Sequence, residues 1–356
     1  MKKHIKKIAG LLLGAMILAG CTPSAPSTTA AGNSAAGNST TAGSKSTTAG
    51  SAGELERVTF LLDWTPNTNH TGLYVAREKG WFEAEGLDVD IQTPPQGGSA
   101  SLVAAGRADF GIDAQDTMAP AFTADTPLPV TAIAAIVDHN TSGIISRKGE
   151  GMNAPGGMEG NKYATWDNPV EQAIIKNVVE TDGGDYSKVQ LIPNNINDEV
   201  AALRTRQVDA VWIFYGWSGI NAEVQGFEAD YFHFKDVNPI FDYYTPVIVT
   251  SDQMIEEKPE TVAKFMRAAA RGYEFAAGDP EEAAGILLKY APELDPQLTL
   301  ASQSWLADQY FEEGKAWGLI DPARWDGFYT WLWDNSLIEK EIPAGKGFTN
   351  EFNPGQ

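Results

Sequence analysis

Short apolar runs alternate with helix-like segments through most of the chain between residues 58 and 250. The runs predict strands and the segments between them predict helices. The expected strands are 58–62, 87–92, 109–112, 130–137, 162–165, 189–192, 210–214 and 247–250, and the expected helices are 72–78, 99–105, 119–124, 169–180 and 198–204. This alternation is typical of an α/β fold with mostly parallel sheets. Because the series occurs twice and a helical part follows it, we expect two lobes around a cleft.

The N-terminus has the order of a secretory signal. Four lysines precede an apolar run at residues 8–18, and small residues then lead to Cys21. The run is too short for a comfortable membrane span. The residues LAGC resemble the lipobox of bacterial lipoproteins, which implies a lipid on Cys21 and anchoring at the extracytoplasmic face of the cell membrane. The alternative is an ordinary signal peptide, 1–21, with an incidental cysteine.

Cysteine content and charge exclude several kinds of function. Cys21 is the only cysteine, so the folded part has no disulfide, zinc cluster or cysteine nucleophile. Four scattered histidines form no metal-binding set, and no phosphate-binding loop occurs. Without residues 1–21 the chain keeps 22 basic and 47 acidic side chains, a net charge of −25. Such an acidic excess argues against nucleic-acid binding.

The composition also divides the chain. Residues 22–53 are almost wholly Ser, Thr, Ala, Gly and Pro, which predicts a flexible tether that cannot bury a core. The folded body then begins near residue 54. We expect residues 54–143 to form the first part of lobe 1, residues 144–247 to form lobe 2, and residues 248–356 to complete lobe 1 with a helical C-terminus.

Five blocks of the folded body resemble one group of proteins. They are LLDWTPNTNHTGLYVAREKGWFEAEGLDV (61–89), GRADFGIDAQD (106–116), KYATWDNPVEQAIIK (162–176), DAVWIFYGW (209–217) and DYYTPVIV (242–249). They resemble the solute-binding proteins of ABC transporters that share ancestry with the fungal thiamin-pyrimidine synthases. The segments KGWFEAEGLDV and RADFGI are shared widely with binding proteins for sulfonates and nitrate. DWTPNTNHTG, TWDNPVEQAI and DYYTP are more specific to the binding of thiamin-pyrimidine precursors.

The resemblance implies a fold and a function. The fold is the type II periplasmic-binding-protein fold, with a ligand cleft between the lobes. The function is the extracytoplasmic substrate-binding component of an ABC importer for formylaminopyrimidine or hydroxymethylpyrimidine. The expected partners are the permease and its ATPase, and the protein is expected to be a monomer without cofactor or metal.

Two alternatives remain open. A sulfonate or nitrate ligand would need Arg or Lys in the cleft, and the five blocks contain almost none. A pyrimidine synthase would use a histidine in the first polar turn together with pyridoxal phosphate. Those enzymes also carry a cysteine-rich stretch near the DYYTP position, which this chain lacks. The sequence therefore favours a binding protein over an enzyme.

The carboxyl ends of strands form the ligand crevice in such folds, which selects candidate ligand-binding residues. They are Asp63, Trp64, Asn67, His70 and Gln115 on the first lobe, Trp166, Glu171, Tyr215 and Trp217 on the second, and Tyr243 and Tyr244 before the second crossover. Asp116 follows Gln115 on the same turn. A neutral aminopyrimidine needs aromatic rings on its faces and amide or carboxylate groups at its rim.

Each candidate also has a structural alternative. Trp64 and Tyr243 or Tyr244 are the expected stacking rings, although Trp64 could be a core residue at a strand end. Glu171 is the expected acceptor for the exocyclic amine, or an acid that complements a helix N-terminus. Trp166 and Trp217 are expected to be further rings, and Asn67 is expected to read the ligand's edge. Asp63 could contact the ligand, but capping of the following helix is favoured. His70 is either a ligand partner or a brace of its turn.

The C-terminal aromatic residues suggest a different role. Trp325, Phe328, Trp331 and Trp333 lie within a single helix-like stretch, mostly two to three residues apart. We expect them to pack in the helical core and not to form a second binding surface.

Overall fold

The computed structural model describes residues 54–94, 98–194 and 196–355. The predicted signal peptide (1–21), tether (22–53) and lipidation at Cys21 lie outside the described residues. Within the described part of the chain, every helix is too short or too polar to cross a bilayer.

The described part of the chain contains ten strands and thirteen α-helices, besides short 3-10 and π-helical turns. The strands are β1 (Glu56–Leu61), β2 (Leu87–Gln92), β3 (Phe110–Asp113), β4 (Val130–Ala135), β5 (Ser142–Arg147), β6 (Lys162–Thr165), β7 (Gln190–Pro193), β8 (Ala210–Phe214), β9 (Ala229–His233) and β10 (Val247–Ser251). The helices are α1 (Thr71–Glu78), α2 (Trp81–Ala84), α3 (Ser99–Ala104), α4 (Gln115–Thr123), α5 (Pro169–Thr181), α6 (Glu199–Arg204), α7 (Ile220–Val224), α8 (Phe234–Val237), α9 (Asp252–Glu257), α10 (Pro259–Gly278), α11 (Pro280–Tyr290), α12 (Pro296–Leu306) and α13 (Pro322–Asp334).

The strands form two five-stranded sheets with the same plan. The first has the order β2-β1-β3-β10-β4, and the second has the order β7-β6-β8-β5-β9. In the first sheet β1 pairs in parallel with β2 and β3, whereas β10 is antiparallel to β3 and β4. In the second sheet β6 pairs in parallel with β7 and β8, whereas β5 is antiparallel to β8 and β9.

The α/β fold class is confirmed, but the expectation of mostly parallel sheets is wrong. Half of the strand pairings in each sheet are antiparallel. The cause is the path of the chain, because β5 enters the second sheet directly from the first and β10 enters the first sheet from the second. In its new sheet β5 lies beside β8, and β10 lies beside β3, and each runs in the direction opposite to that neighbour. Antiparallel neighbours of this kind need no helical crossover.

Most predicted strands lie within two residues of their observed positions. Those at 87–92, 162–165 and 210–214 agree at both ends. The sequence did not indicate β5 and β9, whose segments SGIISR and ADYFH lack a clear apolar run. Helix α4 begins at Gln115, four residues earlier than the predicted 119, because its polar first turn precedes the apolar residues.

The C-terminal helices α10 to α13 begin with proline, and an aspartate caps three of them. Pro259 and Pro280, like the first residues of α12 and α13, occupy the first helical position, where no backbone N–H is needed. The side chains of Asp279, Asp295 and Asp321 each accept a hydrogen bond from a backbone N–H of the first turn.

The aromatic residues of α13 pack largely as expected. Trp325 and Phe328 are fully buried, and Trp331 packs edge-on against Phe241 with ring centroids 4.9 Å apart. The expectation is wrong for Trp333, whose side chain is 41% exposed because it lies on the outer face of the helix.

Helices α1 and α10 cross at two glycines, which allow their backbones to touch. A Cβ atom at Gly272 would meet the carbonyl of Gly72, and one at Gly72 would meet the ring of Tyr273. By contrast, Gly285 in α11 is exposed and has open space around the corresponding position.

We expect Gly272→Ala to lower the free energy of unfolding by about 1–3 kcal/mol, because the helices must separate to admit the methyl group. Gly285→Ala is the matched control and should raise it by up to about 1 kcal/mol through helix propensity. Urea unfolding of both variants measures the two effects. Equal changes of the same sign would contradict close packing at Gly272.

Candidate functional site

A cavity of about 330 Å³ opens between the two sheets, where the carboxyl ends of several strands meet. Its size suits one small ring compound. Residues from both sheets and from the returning crossover line it: Asp63, Gly98, Ser99, Ile112, Asp113, Ala114, Asp116, Thr117, Trp166, Trp212, Phe214, Tyr243 and Thr245.

One wall of the cavity is acidic and comes from the first sheet. Asp63 follows β1, Asp113 is the last residue of β3, and Asp116 lies in the first turn of α4. We call these three residues the acidic wall. Each occupies the point where a strand gives way to a helix, which is where α/β folds place their ligand groups.

The opposite wall is aromatic and comes from the second sheet. Trp166 follows β6, and Trp212 and Phe214 lie on β8. The ring centroids of Trp166 and Trp212 are 5.4 Å apart, and Trp212 is backed by Phe234 at 4.3 Å. Trp166 is 47% exposed and Phe214 is 37% exposed, so both present ring surface at the mouth of the cavity.

The polar turn after β1 is held by its own hydrogen bonds. The backbone N–H of Asn67 donates to Nδ1 of His70 at 3.2 Å, so the ring proton resides on Nε2, which donates to Oδ1 of Asp63 at 2.8 Å. The Asn67 side chain accepts from the backbone N–H of Asn69 at 3.0 Å and donates to the Thr65 carbonyl at 3.1 Å. Buried His70 therefore braces the turn and orients Asp63 towards the cavity.

This geometry bears on two interpretations of the turn. Asp63 caps neither the short 3-10 turn Thr68–His70, where Asn67 accepts the capping hydrogen bond and forms a capping box with His70, nor α1, which begins after His70 without a side-chain cap. The amide of Asn67 makes two hydrogen bonds within its own loop and Asn67 is not on the cavity lining, so its role as a reader of the ligand's edge stays a prediction.

The two acids near α4 are partly withdrawn from water. Burial raises the pKa of Asp113, although Thr117 and the backbone N–H groups of Ala114 and Ala100 donate to its carboxylate. Burial raises the pKa of Asp116 to about 6, with a smaller contribution from the charge of Asp113. Asp116 is therefore ionised at neutral pH only at a cost to the folded state.

The two tyrosines of the crossover have different roles. Tyr243 lines the cavity and stacks on Phe328 of α13, with centroids 4.1 Å apart. Tyr244 faces away from the cavity, where its hydroxyl accepts from the backbone N–H of Asp321 at 2.7 Å and its ring lies 4.1 Å from the Arg324 guanidinium. Of the two tyrosines, only Tyr243 lines the cavity, and its stacking on a ligand stays a prediction.

Several other predicted residues have structural roles away from the cavity. Gln115 is fully buried, where its side chain donates to the Trp325 carbonyl at 2.7 Å and accepts from the backbone N–H of Tyr244 at 2.9 Å. Glu171 is buried and accepts from the hydroxyls of Tyr163 at 2.5 Å and Thr165 at 2.8 Å. It also completes the capping box of α5, so its helix-terminal interpretation fits the structure better than amine recognition.

The remaining aromatic candidates do not line the cavity either. The Tyr215 hydroxyl donates to Glu223, and its ring packs against Tyr231 and Trp305 at 4.8 and 5.3 Å. Trp217 is half-buried outside the lining. Trp64 is 67% exposed beside Asp63, so the core interpretation of Trp64 is wrong and its stacking role stays a prediction.

The sequence thus pointed to Asp63, Asp116, Trp166 and Tyr243, which line the cavity, and did not indicate Asp113, Trp212 and Phe214. Asp113 could have been found, because it directly follows the predicted strand 109–112 of the RADFGI block. Trp212 and Phe214 alternate along β8, so they share the cavity-facing side of that strand. The apolar run AVWIF gave no sign of which face would be open.

Comparison with known proteins gives a consistent result. The family model described as "NMT1/THI5 like" matches residues 67–283. A formylaminopyrimidine-binding protein of Halalkalibacterium halodurans is 30% identical over 97% of this chain and 98% of its own. The 4-amino-5-hydroxymethyl-2-methylpyrimidine phosphate synthase THI13 of Saccharomyces cerevisiae is 24% identical over 68% of this chain and 74% of its own.

A solved structure supports the fold. The alkanesulfonate-binding protein SsuA of Xanthomonas axonopodis pv. citri superposes with a TM-score of 0.62 at 13% identity, covering 83% of this chain and 99% of the other. At this identity the likeness speaks for the fold alone. The predicted periplasmic-binding-protein fold is confirmed.

We expect Asp116→Asn to stabilise the protein at neutral pH. A carboxyl whose pKa rises on folding from 3.8 to about 6 contributes stability below its ordinary pKa and loses it as pH rises through about 6. The variant should therefore unfold with a free energy about 1–3 kcal/mol higher than wild type near pH 7 to 8, and the gap should close towards about pH 4.

Thermal or urea unfolding across this pH range measures the effect. Asp88→Asn, at an exposed acid on β2, is the control and should follow the wild-type curve. Coincident curves for Asp116→Asn and wild type would show that Asp116 is well solvated.

Proposed function

Because the chain belongs to the NMT1/THI5-like family, we propose that it is the substrate-binding component of an ABC importer. The imported compound would be a thiamin-pyrimidine precursor, formylaminopyrimidine or hydroxymethylpyrimidine. The full-length similarity to a formylaminopyrimidine-binding protein supports the assignment. The single observation that carries it in the structure is the cavity, which offers aromatic faces on one side and hydrogen-bond acceptors on the other. These are the two requirements of a flat aminopyrimidine.

The lining of the cavity argues against the anionic ligands bound by structural neighbours. Sulfonate and nitrate are held by cationic or multiple N–H donors. Among the described residues that line the cavity, none is Lys or Arg, and three are aspartates. An anion would therefore meet charge repulsion without compensation.

We propose a binding role and no enzymatic one, although synthases are among the relatives. His70 is fully buried, and both of its ring nitrogens are occupied by Asn67 and Asp63. It is therefore not free to enter a reaction in this conformation. The sequence also has no cysteine in the region of DYYTP.

The wider assignment follows from the sequence. We propose that Cys21 carries a lipid, that the tether 22–53 holds the body at the extracytoplasmic membrane face, and that a permease and its ATPase receive the ligand from a monomeric protein. Residues 54–143 with 248–356 would form lobe 1, and residues 144–247 would form lobe 2. Closure of the lobes would bring the exposed rings of Trp166 and Phe214 over the ligand.

Calorimetric titration with formylaminopyrimidine and with hydroxymethylpyrimidine tests the proposed ligand class. We expect saturable binding of at least one of them, because the cavity offers the matching surfaces. Absence of heat with both, together with tight binding of an alkylsulfonate or nitrate, would contradict the proposal.

We expect Trp166→Ala to weaken pyrimidine binding by about 1–3 kcal/mol, the range found for stacking of a base on an aromatic side chain. Because Trp166 is about half exposed, the free energy of unfolding should change little. Trp333→Ala, which removes a similarly exposed indole on α13, is the control and should keep wild-type affinity. Unchanged affinity in Trp166→Ala would exclude stacking on that ring.

A further inference from the structure

The two walls of the cavity differ in charge as well as in chemistry. All three carboxylates come from the first sheet, and all three second-sheet residues on the lining are aromatic. A ligand in this cavity therefore has negative charge on one side and π-electron faces on the other.

The acidic wall lacks a cationic partner. In the described part of the chain, no Lys or Arg lies within ion-pair distance of Asp63, Asp113 or Asp116. Among the described residues, the basic side chain that contacts the wall is His70, which donates to Oδ1 of Asp63. Oδ2 of Asp63 accepts no hydrogen bond from the described residues, and Asp116 receives only backbone N–H groups of its own turn.

Uncompensated carboxylates in a recess are costly to the folded protein. Partial burial disfavours the charged form, and each ionised neighbour adds repulsion. The raised pKa values of Asp113 and Asp116 express this cost. A positively charged group in the cavity would relieve it.

Aromatic rings facing carboxylates are a common arrangement for binding organic cations. Indole faces attract cations through the ring quadrupole. An ammonium group offers three donors, which the free oxygens of Asp63 and Asp116 can accept. A neutral hydroxyl group in the same place would be bound less strongly by the rings and by the carboxylates, because it carries no charge.

We propose that the cavity can take its aminopyrimidine as a cation, and that it prefers a pyrimidine bearing a primary ammonium, aminomethylpyrimidine, over the neutral hydroxymethylpyrimidine, with Asp63 and Asp116 accepting from the ammonium and Asp113 adding negative charge beside them. This inference rests on the proposed function, because it assumes that the ligand is an aminopyrimidine. It goes further in assigning the ligand's charge and the residues that select it.

Aminomethylpyrimidine and hydroxymethylpyrimidine form a matched pair of probes. They differ in one group of similar size, which is charged in the first and neutral in the second. Titration of the full chain with both gives a ratio of dissociation constants that cancels stacking and shape. We expect wild type to bind the ammonium compound about tenfold to a hundredfold more tightly, as for a charge-assisted hydrogen bond.

Asp116→Asn tests the source of the preference. It should reduce this ratio by about tenfold or more while binding of hydroxymethylpyrimidine stays measurable, which also reports that the variant is folded. Asp113→Asn should act in the same direction. Asp88→Asn is the control for net charge, since this exposed acid lies at the amino end of β2, away from the cavity, and should leave the ratio unchanged.

The outcomes separate this inference from the proposed function. A wild-type ratio near one, or a ratio unaltered by both Asp113→Asn and Asp116→Asn while the pyrimidines still bind, overturns the cation preference alone. Failure of every pyrimidine probe to bind overturns both proposals. A preference for the ammonium compound that disappears in the two variants supports both.

Discussion

Arg324 connects the two segments by which the chain passes between its sheets. From α13 its guanidinium donates to Asp138 at 2.9 Å, next to the first passage, and to Asp242 at 2.8 Å, next to the second. Asp242 also accepts from the backbone N–H of Asn140 at 2.8 Å, and His139 lies 2.6 Å from the same carboxylate. Both passages are thereby fixed against one helix. Tyr243 and Thr245, which follow Asp242 in the chain, reach the cavity from this fixed point.

The mixed topology explains why such a fixed point matters. Since β10 enters the first sheet between β3 and β4, the cavity lies beside a strand that comes from the other sheet. Thr245 lies two residues before that strand begins, and Asp113 at the end of β3 pairs with Val247, the first residue of β10. The acidic wall therefore lies beside the second segment that passes between the sheets. Because Arg324 holds this segment, the position of one cavity wall relative to the other depends on it.

The cavity shows a balance between stability and binding. Asp116 keeps a carboxylate in a place where burial raises its pKa to about 6, although an amide would be less costly there. Strongly perturbed groups that gather in a cavity often mark a functional site. By contrast, the buried Glu171 is fully satisfied by Tyr163, Thr165 and its helix terminus, as expected of a structural acid. The difference lies in hydrogen-bond satisfaction, because both residues are acids near helix starts.

The sequence by itself determined the order of most elements, the starts of the C-terminal helices and the family blocks, because periodicity, proline and capping residues act locally. It also marked the turn at residues 63–70 as special, but not what each residue there does. Only the tertiary structure decided that His70 braces Asp63, that Gln115 and Glu171 are consumed by internal hydrogen bonds, and that β5 and β10 run antiparallel to their neighbours. It also decided that Trp212 and Asp116 face one cavity from opposite sheets. The partner of a buried polar side chain and the exposure of a strand face depend on segments that are distant in the sequence. A local sequence pattern does not specify those contacts.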